Sequence, residues 1–157
     1  MFVDFTEYSR ISKFTSGYED YFDSHHKIII DHHVFYGEIK NSSIYRDSTA
    51  IATCEIIFEL TTIWWDLIDA DTATLLYMGI VTDSGNFRHD EKHQTLRLME
   101  DALGLIKKGG DKQAVINNTF RNKSLEDLQF MQKILERIHR DGDIFYSWYT
   151  KVELEQF

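Results

Sequence analysis

The sequence predicts an α/β fold in which a parallel sheet is flanked by helices, and three observations carry this prediction. The segment "KIIID", residues 27–31, is a continuous β-branched apolar run, typical of a parallel strand covered on both faces. The segment "MFVDF", residues 1–5, is interpreted as the end of a second buried strand, with Asp4 near its terminus. From about residue 50 onward, apolar residues recur at helical spacing. Strands followed by several helices indicate an α/β protein.

The helices are predicted from this spacing and from their end signals. "RISKF" to "EDYF", residues 10–22, indicates a loop or short helix, and the polar stretch 40–50 indicates a connection. "AIATCEIIFELTTIWW", residues 50–65, predicts a helix with Ser48 or Thr49 as its cap. "DADTATLLYMGIVTDSG", residues 69–85, predicts a second helix that ends in a turn at Asp83–Gly85.

Three further elements complete the chain. Residues 93–110 form an amphipathic pattern that ends in lysines and a glycine pair, as helix ends prefer. Residues 124–139 predict another helix, opened by a capping box in which Asp127 stands where Glu or Gln is usual. "GDIFYSWYT", residues 142–150, alternates as a strand does.

Composition excludes several classes of function. The chain has 157 residues, a length typical of one domain, and no apolar run approaches the ~20 residues of a membrane span. Its single cysteine excludes an internal disulfide and predicts a cytoplasmic location. A net charge of −9 argues against a duplex-DNA binder with a broad basic face. A small phosphorylated substrate is still allowed, because bound divalent metal inverts the charge of an acidic cluster locally.

Two histidine pairs flank the isoleucine run. His25 and His26 precede it, whereas His32 and His33 follow it directly behind Asp31. The second pair lies at the carboxyl end of a predicted parallel strand, where open α/β sheets place their ligands. The second pair is therefore the functional candidate, and the first is predicted to be a solvated turn.

A divalent hydrolytic centre needs oxygen and imidazole ligands that converge from several strand ends. Three sites are interpreted as meeting this criterion, namely Asp4, the trio Asp31–His33, and Asp83 within "GIVTDSGNF". A lone strand-end aspartate is more often a cap or turn residue than a ligand. An aspartate followed by two histidines, directly after three isoleucines, has a less obvious structural explanation.

These residues carry a family resemblance. "IIIDHH", followed about fifty residues later by "GIVTDSGNF", resembles the DHH phosphoesterase superfamily, whose fourth motif is a "GI-x-TD-[ST]-G-x-F" turn. "VDFTEYSRI" resembles the family's second motif, and "ATCEIIFEL" resembles its Ser-Thr-x-Glu helix. Together with "RNKSLEDLQFMQKIL", these segments are similar to the branch of small-oligonucleotide exonucleases (nanoRNases) and 3′-phosphoadenosine-5′-phosphate (pAp) phosphatases. The resemblance runs over nearly the whole chain.

The resemblance implies a role for each matching residue. Asp4 would bridge two Mn²⁺ ions, His32 would ligate one of them, and Asp83 would complete the protein ligands of that ion. His33 would face the substrate phosphate, and Asp31 would orient the histidines. A two-metal centre activates water and stabilises the attacking and leaving oxygens of an in-line displacement. Mg²⁺ and Co²⁺ are the alternative ions.

Three further residues have weaker interpretations. Arg88 and His89 follow the fourth motif and are candidates for contact with the substrate phosphate, with a solvated loop as the alternative. Glu55 lies inside a predicted helix and is expected to pack or pair rather than to ligate a metal.

The chain also departs from the family pattern. The family's first motif, a His-x-x-Pro-Asp-x-Asp-type segment, would precede Asp4, and its C-terminal substrate-binding domain would follow the last residues. We therefore expect a partial DHH domain over residues 1–140 and the start of a connector over residues 141–157. We also expect such a chain to bind metal weakly and to turn over slowly or not at all.

The resemblance implies a parent enzyme that hydrolyses short oligoribonucleotides or pAp. One alternative keeps the fold and changes the substrate to pyrophosphate, a cyclic or linear dinucleotide, or single-stranded DNA. Another is a non-catalytic binding or oligomerisation module. The strand near Asp4 would then pair with a second copy in a homodimer, because an open sheet edge invites strand pairing.

Overall fold

The computed structural model describes residues 1–5, 8, 17–34, 37, 39–89 and 95–155. The chain divides into two compact units, Met1–Val115 and Ile116–Phe157. The expected family boundary after residue 140 stays a prediction. In the described part of the chain, every helix is too short or too polar to cross a membrane.

The first unit carries the sheet and the longest helices. In chain order its elements are β1 (Phe2–Val3), α1 (Glu19–Ser24), β2 (Lys27–Asp31), β3 (Ser42–Arg46), α2 (Thr53–Thr61), a 3₁₀ helix (Thr62–Leu67), α3 (Ala70–Asp83), α4 (Thr95–Lys107) and α5 (Lys112–Ile116). The second unit has a π-helix (Asn117–Arg121), α6 (Leu125–Glu136), β4 (His139–Asp141), β5 (Ile144–Tyr146) and α7 (Lys151–Leu154).

The described strands of the first unit form one parallel sheet in the order β1-β2-β3. Phe2 lies opposite Ile29, and Asp31 lies opposite Arg46. The predicted α/β fold with a parallel sheet flanked by helices is therefore confirmed. Strand β3 was not predicted, because its three central residues are exposed and its sequence is polar enough to be interpreted as a connection.

The sheet is covered by helix α2 over part of its length. Ile30 packs with Ala50 and Ile56 in the core. Ile28 lies on the same face of β2, since side chains alternate along a strand, yet it is 52% exposed. The prediction that β2 is covered on both faces is wrong at Ile28, because the residues packed on this face do not reach the amino end of the strand. It is also wrong for β1, where Val3 is 47% exposed.

Helix α2 begins later than predicted. Its N-cap is Ala52, which makes no side-chain cap, so the prediction of Ser48 or Thr49 as the cap is wrong. Thr49 instead donates its backbone N–H and its hydroxyl to the Asp47 carboxylate, at 2.8 and 2.6 Å. At the helix start, the Glu55 carboxylate accepts the backbone N–H of Ile51 at 2.9 Å.

The second unit confirms two local predictions. Ser124 and Asp127 form the predicted capping box, with reciprocal hydrogen bonds of 3.0 and 2.9 Å. The predicted final strand is confirmed only over β5, which pairs antiparallel with β4, and its predicted extension over residues 147–150 is wrong. Helix α6 ends at Glu136, so the predicted extension of the helix to His139 is wrong.

Candidate metal centre

Asp4, His32 and His33 converge at one edge of the sheet. One ligand atom from each lies within 4.8 Å of the others. The convergence follows from the topology, because β1 and β2 are parallel neighbours and their carboxyl ends meet at the same edge. The backbone N–H of Asp4 extends the strand pairing by donating to the Ile30 carbonyl at 2.9 Å.

One carboxylate oxygen lies between the two imidazoles. Asp4 Oδ1 is 3.5 Å from His32 Nε2 and 3.4 Å from His33 Nδ1. His32 Nδ1 lies 3.4 Å from the Ala50 carbonyl oxygen, which can accept only from an Nδ1–H. A neutral imidazole with its proton on Nδ1 has the lone pair of Nε2 on the side of Asp4, where a metal ligand would need it.

Asp83 approaches the same imidazole from a helix. Its Oδ2 lies 3.9 Å from His32 Nε2. The interpretation of Asp83 as a strand-end residue is wrong, because Asp83 is the last residue of α3. Gly79 allows the approach of α3 to α2, since a Cβ at Gly79 would lie 2.2 Å from the Cys54 sulfur. Asp4, His32, His33 and Asp83 are hereafter the strand-edge cluster.

Burial raises the pKa of one member of the strand-edge cluster, Asp83, and of its neighbour Cys54. Burial raises the pKa of the Asp83 carboxyl above its usual value, the nearby His32 lowers it, and the charge of Asp4 raises it further. Burial also raises the pKa of the Cys54 thiol to about 11, with smaller contributions from Asp83 and Asp4. Cys54 is therefore a neutral thiol at pH 7, which fits a packing role and not a thiolate ligand.

Asp31 lies behind the cluster and is fully buried. Its Oδ1 accepts the backbone N–H of His33 at 3.2 Å and lies 2.9 Å from His33 Nδ1. Its Oδ2 lies 3.5 Å from the Arg46 guanidinium on β3. This geometry agrees with the predicted orienting role of Asp31, which stays a prediction, as does the contact of His33 with substrate.

Sequence reasoning missed two residues that contact the predicted ligands or their supports. Arg46 pairs with Asp31, and recognition of β3 as the neighbouring strand would have indicated this contact. Thr53 donates its hydroxyl to Asp4 Oδ1 at 2.9 Å. Thr53 lies within "ATCEIIFEL", the segment that resembles the family's Ser-Thr-x-Glu helix, but no sequence signal connected it to Asp4.

The remaining candidates lie on the surface. Arg88 and His89 are exposed, and the Arg88 Nε donates to the Gly85 carbonyl at 2.9 Å within the turn after α3. Their contact with a substrate phosphate stays a prediction. His25 and His26 are exposed at the amino end of β2, as predicted.

A second acidic cluster lies between α2 and α4 and consists of Glu55, Glu59 and Asp101. Arg97 joins it, with its Nε 3.4 Å from Glu55 Oε1 and a second contact to Glu59. Glu55 is fully buried, and the prediction that it pairs is confirmed. Burial, and then the charge of Glu55, raise the pKa of Asp101 to about 6. We call these four residues the helix cluster.

Of the two clusters found in the described part of the chain, the strand-edge cluster combines carboxylate and imidazole donors, as divalent transition-metal sites do. Carboxylate oxygens suit Mg²⁺, Ca²⁺ and Mn²⁺, whereas imidazole nitrogen suits transition-metal ions such as Zn²⁺ and Fe²⁺. Asp4 supplies carboxylate oxygen and His32 supplies imidazole nitrogen, with Asp83 within reach of the same imidazole. This mixture of donors fits a divalent metal ion, and Mn²⁺ as that ion stays a prediction. The helix cluster offers carboxylates whose charge is already balanced in part by Arg97.

No family model matches the chain. A bifunctional oligoribonuclease and PAP phosphatase NrnA of Mycoplasma genitalium is 32% identical over 123 residues, which cover 78% of this chain and 37% of that protein. The protein of the same name in Mycoplasma pneumoniae is 26% identical over 118 residues, or 74% of this chain and 35% of the relative. The chain thus spans just over a third of the length of these curated relatives.

Among solved structures, an exopolyphosphatase-related protein from Bacteroides fragilis has the same fold, with a TM-score of 0.72 at 22% identity. The match covers 89% of this chain and 40% of the other. The relatives are named as hydrolases of phosphate esters, and their similarity extends over most of this chain. From its motifs, its fold and these relatives, the chain belongs to the DHH phosphoesterase superfamily, in the branch of the two Mycoplasma proteins.

Proposed function

We propose that this chain forms the metal-binding part of a manganese-dependent phosphoesterase that acts on short oligoribonucleotides or pAp. The observation that carries the proposal is the convergence of Asp4, His32 and His33 within 4.8 Å, with Asp83 beside His32. The names of the two Mycoplasma relatives support the substrate class. The superfamily's hydrolase chemistry supports the reaction type.

Asp4, His32 and Asp83 would hold a divalent ion at the sheet edge. A bound ion would act as a Lewis acid and lower the pKa of water at the site. His33 is held by Asp31, which accepts both its backbone N–H and its Nδ1–H, so its Nε2 is left to accept or donate a proton at the substrate phosphate. Asp83 has a raised pKa in the metal-free chain, so acid is expected to weaken metal binding.

The same proposal includes a cytoplasmic location and a homodimer as the assembled form. The single cysteine supports a reducing compartment. Strands β1 and β3 lie at the two edges of the described sheet, where backbone groups can pair with a second copy.

The test is hydrolysis of pAp and of a 5′-phosphorylated RNA dinucleotide with Mn²⁺, together with Mn²⁺ binding measured by electron paramagnetic resonance. We expect weak Mn²⁺ binding and slow phosphate or nucleotide release, both lost in Asp83→Ala. Mn²⁺ binding that is identical in the parent chain, Asp83→Ala and Asp4→Asn would contradict the proposal and favour a non-catalytic module. Faster turnover of pyrophosphate or a cyclic dinucleotide would reassign the substrate.

A further inference from the structure

Thr53 is the first residue of α2, and its hydroxyl is directed at the strand-edge cluster. It donates to Asp4 Oδ1 at 2.9 Å, although 49 residues separate the two positions. Thr53 is only 4% exposed, whereas the side chain of Asp4 is 51% exposed. A buried hydroxyl thus holds a half-exposed carboxylate.

The backbone of Asp4 does not by itself fix the orientation of its side chain. It follows a strand of two residues, and its φ of 55° lies in the left-handed region that non-glycine residues seldom adopt. Its backbone N–H is fixed by the Ile30 carbonyl, but this bond leaves the side-chain torsions free. The Oδ1 that accepts from the Thr53 hydroxyl is the same oxygen that faces both His32 and His33.

Thr53 does not serve as an ordinary helix threonine. The N-cap of α2 is Ala52, so Thr53 is not the capping residue. Thr61, at the other end of the same helix, donates its hydroxyl to the Phe58 carbonyl at 2.7 Å, and Thr82 on α3 donates to the Met78 carbonyl at 3.0 Å. Those bonds satisfy only local backbone, whereas the hydroxyl of Thr53 connects α2 to the end of β1.

The amino end of α2 is itself held in place. Glu55 accepts the backbone N–H of Ile51 at 2.9 Å and pairs with Arg97 of α4. The position of Thr53 is therefore set by packing and by charged contacts on the far side of the helix. A donor held this firmly is suited to orient a metal ligand, because such supporting hydrogen bonds typically change metal affinity 10- to 100-fold.

We propose that Thr53 is a positioning residue that orients Asp4 for a divalent metal ion, and that its hydroxyl contributes to metal affinity more than to folding. This inference rests on the proposed function, since it needs the strand-edge cluster to bind metal. An ionised carboxylate only accepts hydrogen bonds, so the hydroxyl donates and occupies one lone pair of Oδ1. The other lone pairs of Asp4 stay available to the ion.

The test compares Thr53→Val, which keeps the shape and removes the hydroxyl, with Thr53→Ser, which restores it. Thr61→Val on the same helix controls for the effect of valine on α2. Mn²⁺ affinity is measured by electron paramagnetic resonance, and thermal unfolding is measured in EDTA. We expect Thr53→Val to raise the Kd for Mn²⁺ by roughly 10-fold. Thr53→Ser should stay within about 3-fold of the parent chain, and Thr61→Val should not change the Kd.

Equal Mn²⁺ affinity in Thr53→Val and the parent chain would overturn the inference. So would a fall in the unfolding temperature in EDTA that is much larger in Thr53→Val than in Thr61→Val, because it would show a role in folding. If Thr53→Val does not fold, Thr53→Ala is measured under the same criteria. Asp4→Asn separates the two proposals. If Mn²⁺ binding is lost in Asp4→Asn but unchanged in Thr53→Val, only the role of Thr53 is rejected. Unchanged binding in Asp4→Asn rejects the metal centre itself.

Discussion

The strand-edge cluster and the helix cluster contain similar carboxylates in different surroundings. Asp4 and Asp83, whose side chains are 51% and 41% exposed, face the imidazole of His32. Glu55 is fully buried, and it faces the guanidinium of Arg97. A carboxylate next to an imidazole, which carries no permanent charge, can accept an external cation, whereas one next to arginine already has a counter-charge. The strand-edge cluster is therefore a candidate metal centre, whereas the helix cluster contains its own positive charge and forms a structural ion pair.

Removal of the Arg97 guanidinium is expected to have the largest effect on the free energy of unfolding. Arg97→Ala leaves the buried carboxyl group of Glu55 without its guanidinium partner, and breaking a buried pair is costly. We expect the free energy of unfolding to fall by roughly 3 kcal/mol, the low end for such pairs because Arg97 is 40% exposed. Urea unfolding in EDTA measures this, and Glu55→Gln in the same background should restore part of the loss. A change below about 0.5 kcal/mol, as for surface pairs, would contradict the comparison.

Removal of one carboxylate from the strand-edge cluster should affect metal and not folding. Asp83→Asn is expected to raise the Kd for Mn²⁺ by roughly 100-fold, at the upper end of what supporting residues alone achieve. Stability in EDTA should stay the same or rise, because burial disfavours the charge of Asp83. Glu59→Gln in the helix cluster is the matched control and should leave the Kd for Mn²⁺ unchanged. Calorimetry with Mn²⁺ measures all three chains, and an equal loss in the two variants would contradict the assignment.

Arg46 tests whether an internal ion pair lies behind the strand-edge cluster. Arg46→Ala removes the guanidinium from the fully buried Asp31 and leaves that carboxylate with His33. We expect a loss of about 2 kcal/mol of unfolding free energy, within the usual cost of an uncompensated buried group. Arg46→Lys should recover part of it, and urea unfolding at pH 7.5 provides the measurement. Equal stability of Arg46→Ala and the parent chain would show that the contact to Asp31 contributes nothing.

The smallest expected effect concerns pH dependence in the helix cluster. Burial and the charge of Glu55, with Arg97 opposing and Glu100 adding, raise the pKa of Asp101 to about 6. A carboxyl with a raised pKa in the folded state destabilises the fold where it is charged, and acid relieves this cost between pH 6 and its ordinary pKa. Asp101→Asn should therefore add about 1 kcal/mol at pH 7.5, discounted for solvent screening.

The gain from Asp101→Asn should shrink as the pH falls from 6 toward 4. Unfolding curves at pH 7.5, 6, 5 and 4 measure the difference between the two chains. A gain that stays constant over this range would show that Asp101 does not titrate with a raised pKa. Asp111→Asn, at an exposed position of the same unit, is the control.

The local features of this protein could be predicted from the sequence. The β-branched run of β2 and the motif "IIIDHH" predicted the strand and placed Asp31, His32 and His33 at its carboxyl end, because a short run of residues determines strand character and side-chain order. The capping box of Ser124 and Asp127 was predicted for the same reason, since it lies within four residues. Strand β3 was not predicted, because an exposed edge strand needs no apolar pattern.

The tertiary structure alone decided which distant side chains meet. The sequence by itself determined the candidate ligands Asp4, His32 and Asp83, through local motifs. It did not show that Thr53 holds Asp4 across 49 positions or that Arg97 pairs with Glu55 on another helix. Such contacts depend on how α2 packs between the sheet and the neighbouring helices, and packing has no short-range sequence signature. The candidate metal ligands could therefore be predicted from the sequence. The residue that holds Asp4 and the arginine that pairs with Glu55 were determined by the tertiary structure.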